Sequence, residues 1–229
     1  MSQLAPGIPV AQAPAEARSA YMTRVYVRLL FGIGGFVLGS WYLFATELAY
    51  AIAEFVIGTS WLLILGGFMI VSWMSTSMLY RARSAGAQYA AYAAVVIANV
   101  LLFATPLVLA REFGPEGTIE LAAQLSAVAF VALSVIAIRT SKDFSFLRGI
   151  LMWGGVLALL LIVGSVVFSI GLGIWFPIAM IGFAGAAILY DTQKIYHSYP
   201  LGTETAAAVN LFSSIALLFW YVLQLLMRR

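Results

Sequence analysis

The chain contains no cysteine and a single histidine, His197. Disulfides, thiolate metal sites and histidine-cluster metal centres are thereby excluded, and cysteine usage is silent about redox compartment. Charge is also scarce. Asp, Glu, Lys and Arg make up 9% of the 229 residues, against about 25% in an ordinary soluble domain. Twelve basic and nine acidic side chains cannot supply a polar skin for a globule of this size. A soluble enzyme and a disordered chain are both excluded, and the 63% apolar content with mean hydropathy +1.01 points to lipid. The net charge of +3 does not suggest nucleic acid, because the few basic residues are scattered at loop edges.

What is abundant is long apolar runs. A helical span needs about 20 apolar residues, and seven such segments can be placed: residues 29–46, 55–75, 85–110 (with Pro106 as an expected kink), 121–138, 149–170, 174–190 and 206–227. Backbone polar groups cannot stay unpaired in lipid, and the runs lack period-two alternation, so each is expected to be helical. Residues 1–20 are rich in proline and alanine and read as a flexible tail rather than a cleavable signal. Gly35 and Gly39 form a G-x-x-x-G, and Gly182 with Ala186 a second small-residue pair, both suited to close helix packing. Trp41, Trp61, Trp153 and Trp175 fall toward segment ends, where interface anchors belong. No internal repeat of 20–50 residues supports an inverted-repeat transporter.

Basic residues order the loops. Arg18, Arg24 and Arg28 precede segment one, Arg81 and Arg83 lie between two and three, Arg139, Lys142 and Arg148 between four and five, and Lys194 between six and seven. The alternate loops hold only Arg111, against Glu47, Glu54, Glu112, Glu116 and Glu120. The positive-inside rule then places the N-terminus in the cytoplasm. Seven crossings leave Arg228 and Arg229 outside: either the pair is tolerated there or the last segment does not fully cross.

Catalytic constellations are missing. Segment seven has no lysine for a retinal Schiff base, there is no H-E-x-x-H, and Gly32, Gly34 and Gly35 sit within an apolar run rather than in a phosphate loop. The protein is expected not to be an enzyme and to need no cofactor. Of the two aspartates, Asp143 sits in a loop and Asp191 directly follows an apolar run. If helix six ends at Tyr190, Asp191 merely begins a polar loop. If the helix continues through DTQKIYH, the carboxylate lies about two turns inside the bundle, where an ionisable group faces a partner or a water-filled cavity. Segment seven carries Asn210, Ser213, Ser214, Tyr221 and Gln224 on one helical face, and Ser214 falls at about the depth of Asp191. Such a stripe faces protein or water and serves either a path or plain interhelical hydrogen bonding.

The run 187–193 (AILYDTQ) after a Gly/Ala-rich helix resembles the signature of the Bax inhibitor-1 family. Residues 22–26 (MTRVY), 139–145 (RTSKDFS) and 223–226 (LQLL) agree with it, and the resemblance covers residues 20–229 as one membrane domain. It implies an all-α integral membrane protein, a seven-transmembrane-helix bundle with the last helix central. It also implies a multi-pass location in the bacterial cell membrane and a pH-sensitive calcium leak. The family pattern pairs two acids. Asp191 matches the first, as ion-pathway acid and calcium contact, and the second falls on Ser214. One carboxylate facing a hydroxyl cannot share a proton as a coupled pair does, so calcium selectivity and the pH switch are both weakened. The partners expected are the bilayer and other membrane proteins, with no nucleic acid. The alternatives are a non-conducting regulator of stress response, cell death or membrane-protein quality control and, with least support, a proton-coupled transporter of small solutes.

Overall fold

A computed structural model of the chain describes residues 8–59, 66, 67, 69, 70, 77, 84–140 and 142–228. Among them the structure is all-helical: α1 (Ala15–Ala45), α2 (Leu48–Ile57), α3 (Ala85–Phe113), α4 (Thr118–Arg139), α5 (Leu147–Val167), α6 (Trp175–Ser198) and α7 (Glu204–Leu226). All but the ten-residue α2 are long and apolar enough to cross a membrane. The chain is thus a multi-pass integral membrane protein. Segment two begins on the last turn of α2, and most of it, with Trp61, Arg81 and Arg83, lies outside the described residues.

The N-terminal expectation needs correction for residues 8–20. The first helix starts at Ala15, after Pro14, well before the expected start at residue 29. Tyr21, Val25, Leu29 and Gly32 recur at helical spacing and are buried, so the Ala/Arg-rich lead-in is the first turns of a packed helix. Before it, Val10 is 0% exposed and its N–H donates to the Tyr199 carbonyl at 2.8 Å, while the Leu201 N–H donates to the Ile8 carbonyl at 3.0 Å. Local composition misled here, because those backbone partners come from the α6–α7 turn.

Glycine brings α1 close to α3. A Cβ at Gly32 would lie 1.9 Å from the Tyr92 hydroxyl, and one at Gly39 would lie 2.9 Å from Val100 Cγ2. Gly35, facing Val96 at 3.4 Å, completes a glycine stripe wider than the expected pair. At Gly182 a Cβ would meet nothing within 4 Å. Pro106 sits inside α3, which continues to Phe113. Phe103 of α3 stacks on Phe219 of α7 at 5.5 Å between centroids, and Phe36 of α1 meets both edge-on at 5.1 and 6.3 Å. This aromatic triangle ties three helices together with little polar contact.

Helix α7 packs against α1, α3, α4 and α6. In its apolar window 61% of residues are buried, against 6% for α5, which rests chiefly on α6 at the edge of the bundle. The turn between α6 and α7 is short because Gly202 accepts φ +94°, a left-handed value hostile to side chains. One end of the bundle, here termed the near end, collects residues 8–14, the start of α3 and the α4–α5 and α6–α7 connections. The far end holds α2, the α3–α4 and α5–α6 connections and Arg228.

Candidate functional site

Helix α6 does not stop at Tyr190. It runs seven residues past Asp191 to Ser198, placing the carboxylate roughly 10 Å inside the helix end. The short turn sets α7 antiparallel beside α6 and brings Ser214 opposite. The Ser214 hydroxyl donates to Asp191 Oδ2 at 2.6 Å. Ser214 is buried and Asp191 partly buried, so this is a charge-assisted hydrogen bond in the bundle interior. The next charge along α6 is Lys194, within electrostatic reach of Asp191. Its ammonium sits over the Tyr190 and Tyr199 rings at 5.6 and 5.9 Å.

The rest of the polar stripe divides. The Asn210 amide donates to the Tyr199 hydroxyl. Ser213, one position from Ser214 and so turned by about 100°, returns its hydroxyl to the Val209 carbonyl at 3.0 Å and faces a separate cleft. That cleft, about 540 Å³, lies between α3, α5, the α5–α6 connection and α7. Its wall is mostly apolar, with Asn99, Ser165, Ser213, Tyr221 and Gln224 as polar groups and Arg228 at its far end. Ser213 and Gln224 are eleven positions apart on α7, so the cleft extends roughly 16 Å from mid-bundle before it reaches Arg228. Tyr221 also meets Phe176 edge-on at 5.9 Å. Asp191 and Ser214 do not line the cleft, so the expected single polar face serves two places.

Asp143 is in neither. It accepts from the Ser145 N–H at 2.8 Å and the Ser145 hydroxyl at 2.9 Å, and these bonds hold its carboxyl below the usual carboxylate range. Its stretch is nevertheless joined to α6. Gln193 accepts from the Phe144 N–H at 2.7 Å and donates to the Lys142 carbonyl at 2.6 Å. Both backbone groups belong to the α4–α5 connection, so Gln193 ties that connection to α6. No single segment announces this, because the partners are about fifty positions apart.

Sequence reasoning also missed Glu204. Arg24 and Arg28, read as markers of a membrane edge, both point to it: Arg24 Nε at 3.0 Å from Oε1 and Arg28 Nη1 at 3.3 Å from Oε2. Arg28 also donates to the Thr205 hydroxyl at 3.0 Å, while its carbonyl accepts from the Tyr92 hydroxyl at 3.0 Å. Tyr21 and Thr203 share a hydroxyl contact of 3.2 Å beside them. The available signal was the spacing of four between the arginines, which puts both on one face of α1.

Among the described residues no group of three or more His, Cys, Asp or Glu could hold a metal ion. Calcium takes six to eight oxygen ligands. Asp191 with Ser214 therefore does not fit a resident calcium centre. The Thr192 hydroxyl, buried, has no hydrogen-bond partner among the described residues.

A family model described as inhibitor of apoptosis-promoting Bax1 matches residues 18–229. Among curated proteins none matches the chain.

Proposed function

From the premise that the chain belongs to the Bax inhibitor-1 family, we propose that it mediates a passive cation leak through a seven-crossing bundle with α7 at its centre. Calcium is the ion the family resemblance implies. The observation that carries the reading is the carboxylate of Asp191, set inside α6 and held by Ser214 of α7. An ionisable group in a spanning helix is costly and is retained where an ion or a proton passes.

Three further features support a path on either side of it. On the far side, the cleft reaches mid-bundle and ends at Ser213, adjacent in sequence to Ser214. On the near side, Thr192 follows Asp191, and the Tyr26 hydroxyl faces that of Ser134. A buried hydroxyl without a partner among the described residues, as Thr192 has, favours bound water. The topology supports a seventh crossing: Tyr50 donates to Glu112 at the far end of α3, while Ser84 caps the near end of the same helix. The 29 residues of α3 span roughly 43 Å, and the chain between Tyr50 and Ser84 has to cover that distance.

We place the near end in the cytoplasm. Arg18, Arg24, Arg28, Arg139, Lys142, Arg148 and Lys194 gather there, whereas the far end holds Arg111 and Arg228 among glutamates. A bacterial cell membrane is the location the resemblance implies. Protonating Asp191 removes the charge of the site, so the leak falls in a single step on acidification. The test is flux in liposomes carrying wild type or Asp191→Asn. Flux in wild type that drops in the variant supports the leak, whereas two proteins matching empty vesicles refute it.

A second reading, a non-conducting interaction protein, is favoured by one observation: the guanidinium at the cleft mouth, Arg228, repels cations. Crosslinking followed by pulldown separates the two, since measurable flux without a specific partner counts against it.

A further inference from the structure

We infer that the cleft beside α7 takes one acyl chain of an anionic phospholipid from the surrounding bilayer, with the headgroup phosphate at Arg228. Binding is read without flux, so the inference does not depend on the leak reading.

Size and access both suit a chain. The volume of about 540 Å³ falls within the range of about 300–1,000 Å³ that ordinary ligand sites occupy. From Ser213 to Gln224 the cleft runs roughly 16 Å along α7. One leaflet of the hydrocarbon core of a bilayer is about 15 Å deep. A chain anchored at the membrane surface therefore reaches the inner end of the cleft. Helix α5 rests chiefly on α6, and only 6% of its apolar window is buried, so the gap it leaves towards α3 adjoins lipid.

Polarity along the cleft runs the same way. At the inner end, the Asn99 amide donates to the Val95 carbonyl at 2.9 Å and Ser213 to the Val209 carbonyl at 3.0 Å. Ser165 likewise donates to the Ile162 carbonyl at 2.8 Å. A hydrocarbon tail beside them displaces none of these bonds. Towards the mouth, Tyr221, Gln224 and Arg228 follow one another on α7. Arg228 is exposed two residues beyond the end of that helix, and Trp175, 78% exposed at the start of α6, marks the same end as interfacial. Among the described residues Arg228 is the one charge that lines the cleft, and no carboxylate does. Its planar fork matches the oxygens of a phosphate. A free anion would leave the apolar slot empty, and a zwitterionic headgroup would bring a second cation to the guanidinium. An anionic phospholipid satisfies the mouth and the slot together. While occupied, the cleft is closed to ions, which makes the lipid a plug wherever the leak operates.

The experiment uses the full chain in phosphatidylcholine vesicles. They carry a trace of phosphatidylglycerol whose acyl chain ends in a diazirine, or of the matching phosphatidylcholine probe. Labelled residues are mapped by mass spectrometry after photolysis. The anionic probe should mark residues 95–103 and 213–217 about fivefold more than the neutral one, and Arg228→Gln should bring the two level. Ala216→Trp, which fills the slot, should remove the label from residues 95–103 and leave that on the exposed face of α5. Label on lipid-facing helices with none in the two cleft stretches overturns the inference and shows that water or another segment of the chain fills the space. Equal marking by both probes in wild type overturns the assignment of the phosphate to Arg228, and the inference with it. The wild-type comparison decides the matter even if Ala216→Trp does not fold.

Discussion

Removing the carboxylate of Glu204 is the most informative stability experiment. Its side chain is 8% exposed and compensates two guanidinium groups of very different exposure, 52% for Arg24 and 23% for Arg28. Glu204→Ala leaves both cations facing the start of α7, and breaking such a buried pair costs about 3 kcal/mol. The arginines should not be equivalent. Arg24 is half in solvent, so Arg24→Ala should cost about 0.5 kcal/mol. Arg28 adds a bond to Thr205 and lies over the Tyr89 ring at 5.6 Å, so Arg28→Ala should cost about 2 kcal/mol. For a chain of this length each kcal/mol moves Tm by about 2–4 °C, so Glu204→Ala should melt about 6–12 °C lower in detergent micelles. Glu204→Ala combined with Arg28→Ala should cost less than the sum of the two, because they share one interaction. A Glu204→Ala melting point within about 1 °C of wild type, or an Arg24→Ala effect equal to that of Arg28→Ala, would refute the idea that this knot holds α1 to α7.

Gln193→Ala should free the α4–α5 connection from α6 by removing both of its hydrogen bonds, a loss of about 1–3 kcal/mol seen as faster tryptic cleavage at Lys142; an unchanged cleavage rate would show that the glutamine holds nothing. Asp143 has a folded pKa lowered by Ser145, so its stabilisation is full above the ordinary aspartate value and is lost as pH falls through the folded one. The melting gap between wild type and Asp143→Ala should therefore be constant near neutrality and narrow below about pH 4; a gap unchanged down to about pH 2 would contradict this.

The apolar runs made α3 to α7 legible, because in lipid a long uncharged stretch has one backbone solution. The lead-in of α1 was legible in principle, since Tyr21, Val25 and Leu29 already follow helical spacing, but proline and alanine nearby drew the reading toward a tail. The shared depth of Asp191 and Ser214 could be estimated from residue rise along two helices. Their hydrogen bond could not, because it depends on the rotation of α7 about its axis, which also divides Ser213 from Ser214. Glu204 escaped because its partners lie 176 and 180 positions away, and an acid at a helix start reads as an ordinary first-turn residue.

The backbone clasp between residues 8–10 and residues 199–201 has a consequence for biogenesis. Residues 8–10 are synthesised well before their partners at 199–201, and the Arg24–Arg28–Glu204 knot closes over a similar separation. The near end therefore cannot reach its native form while the chain is still being inserted. Until α7 enters the bundle, Arg24 and Arg28 lack the carboxylate that compensates them. A ribosome-stalled chain ending before residue 199 should thus be more exposed to quality-control proteases than one that extends through α7.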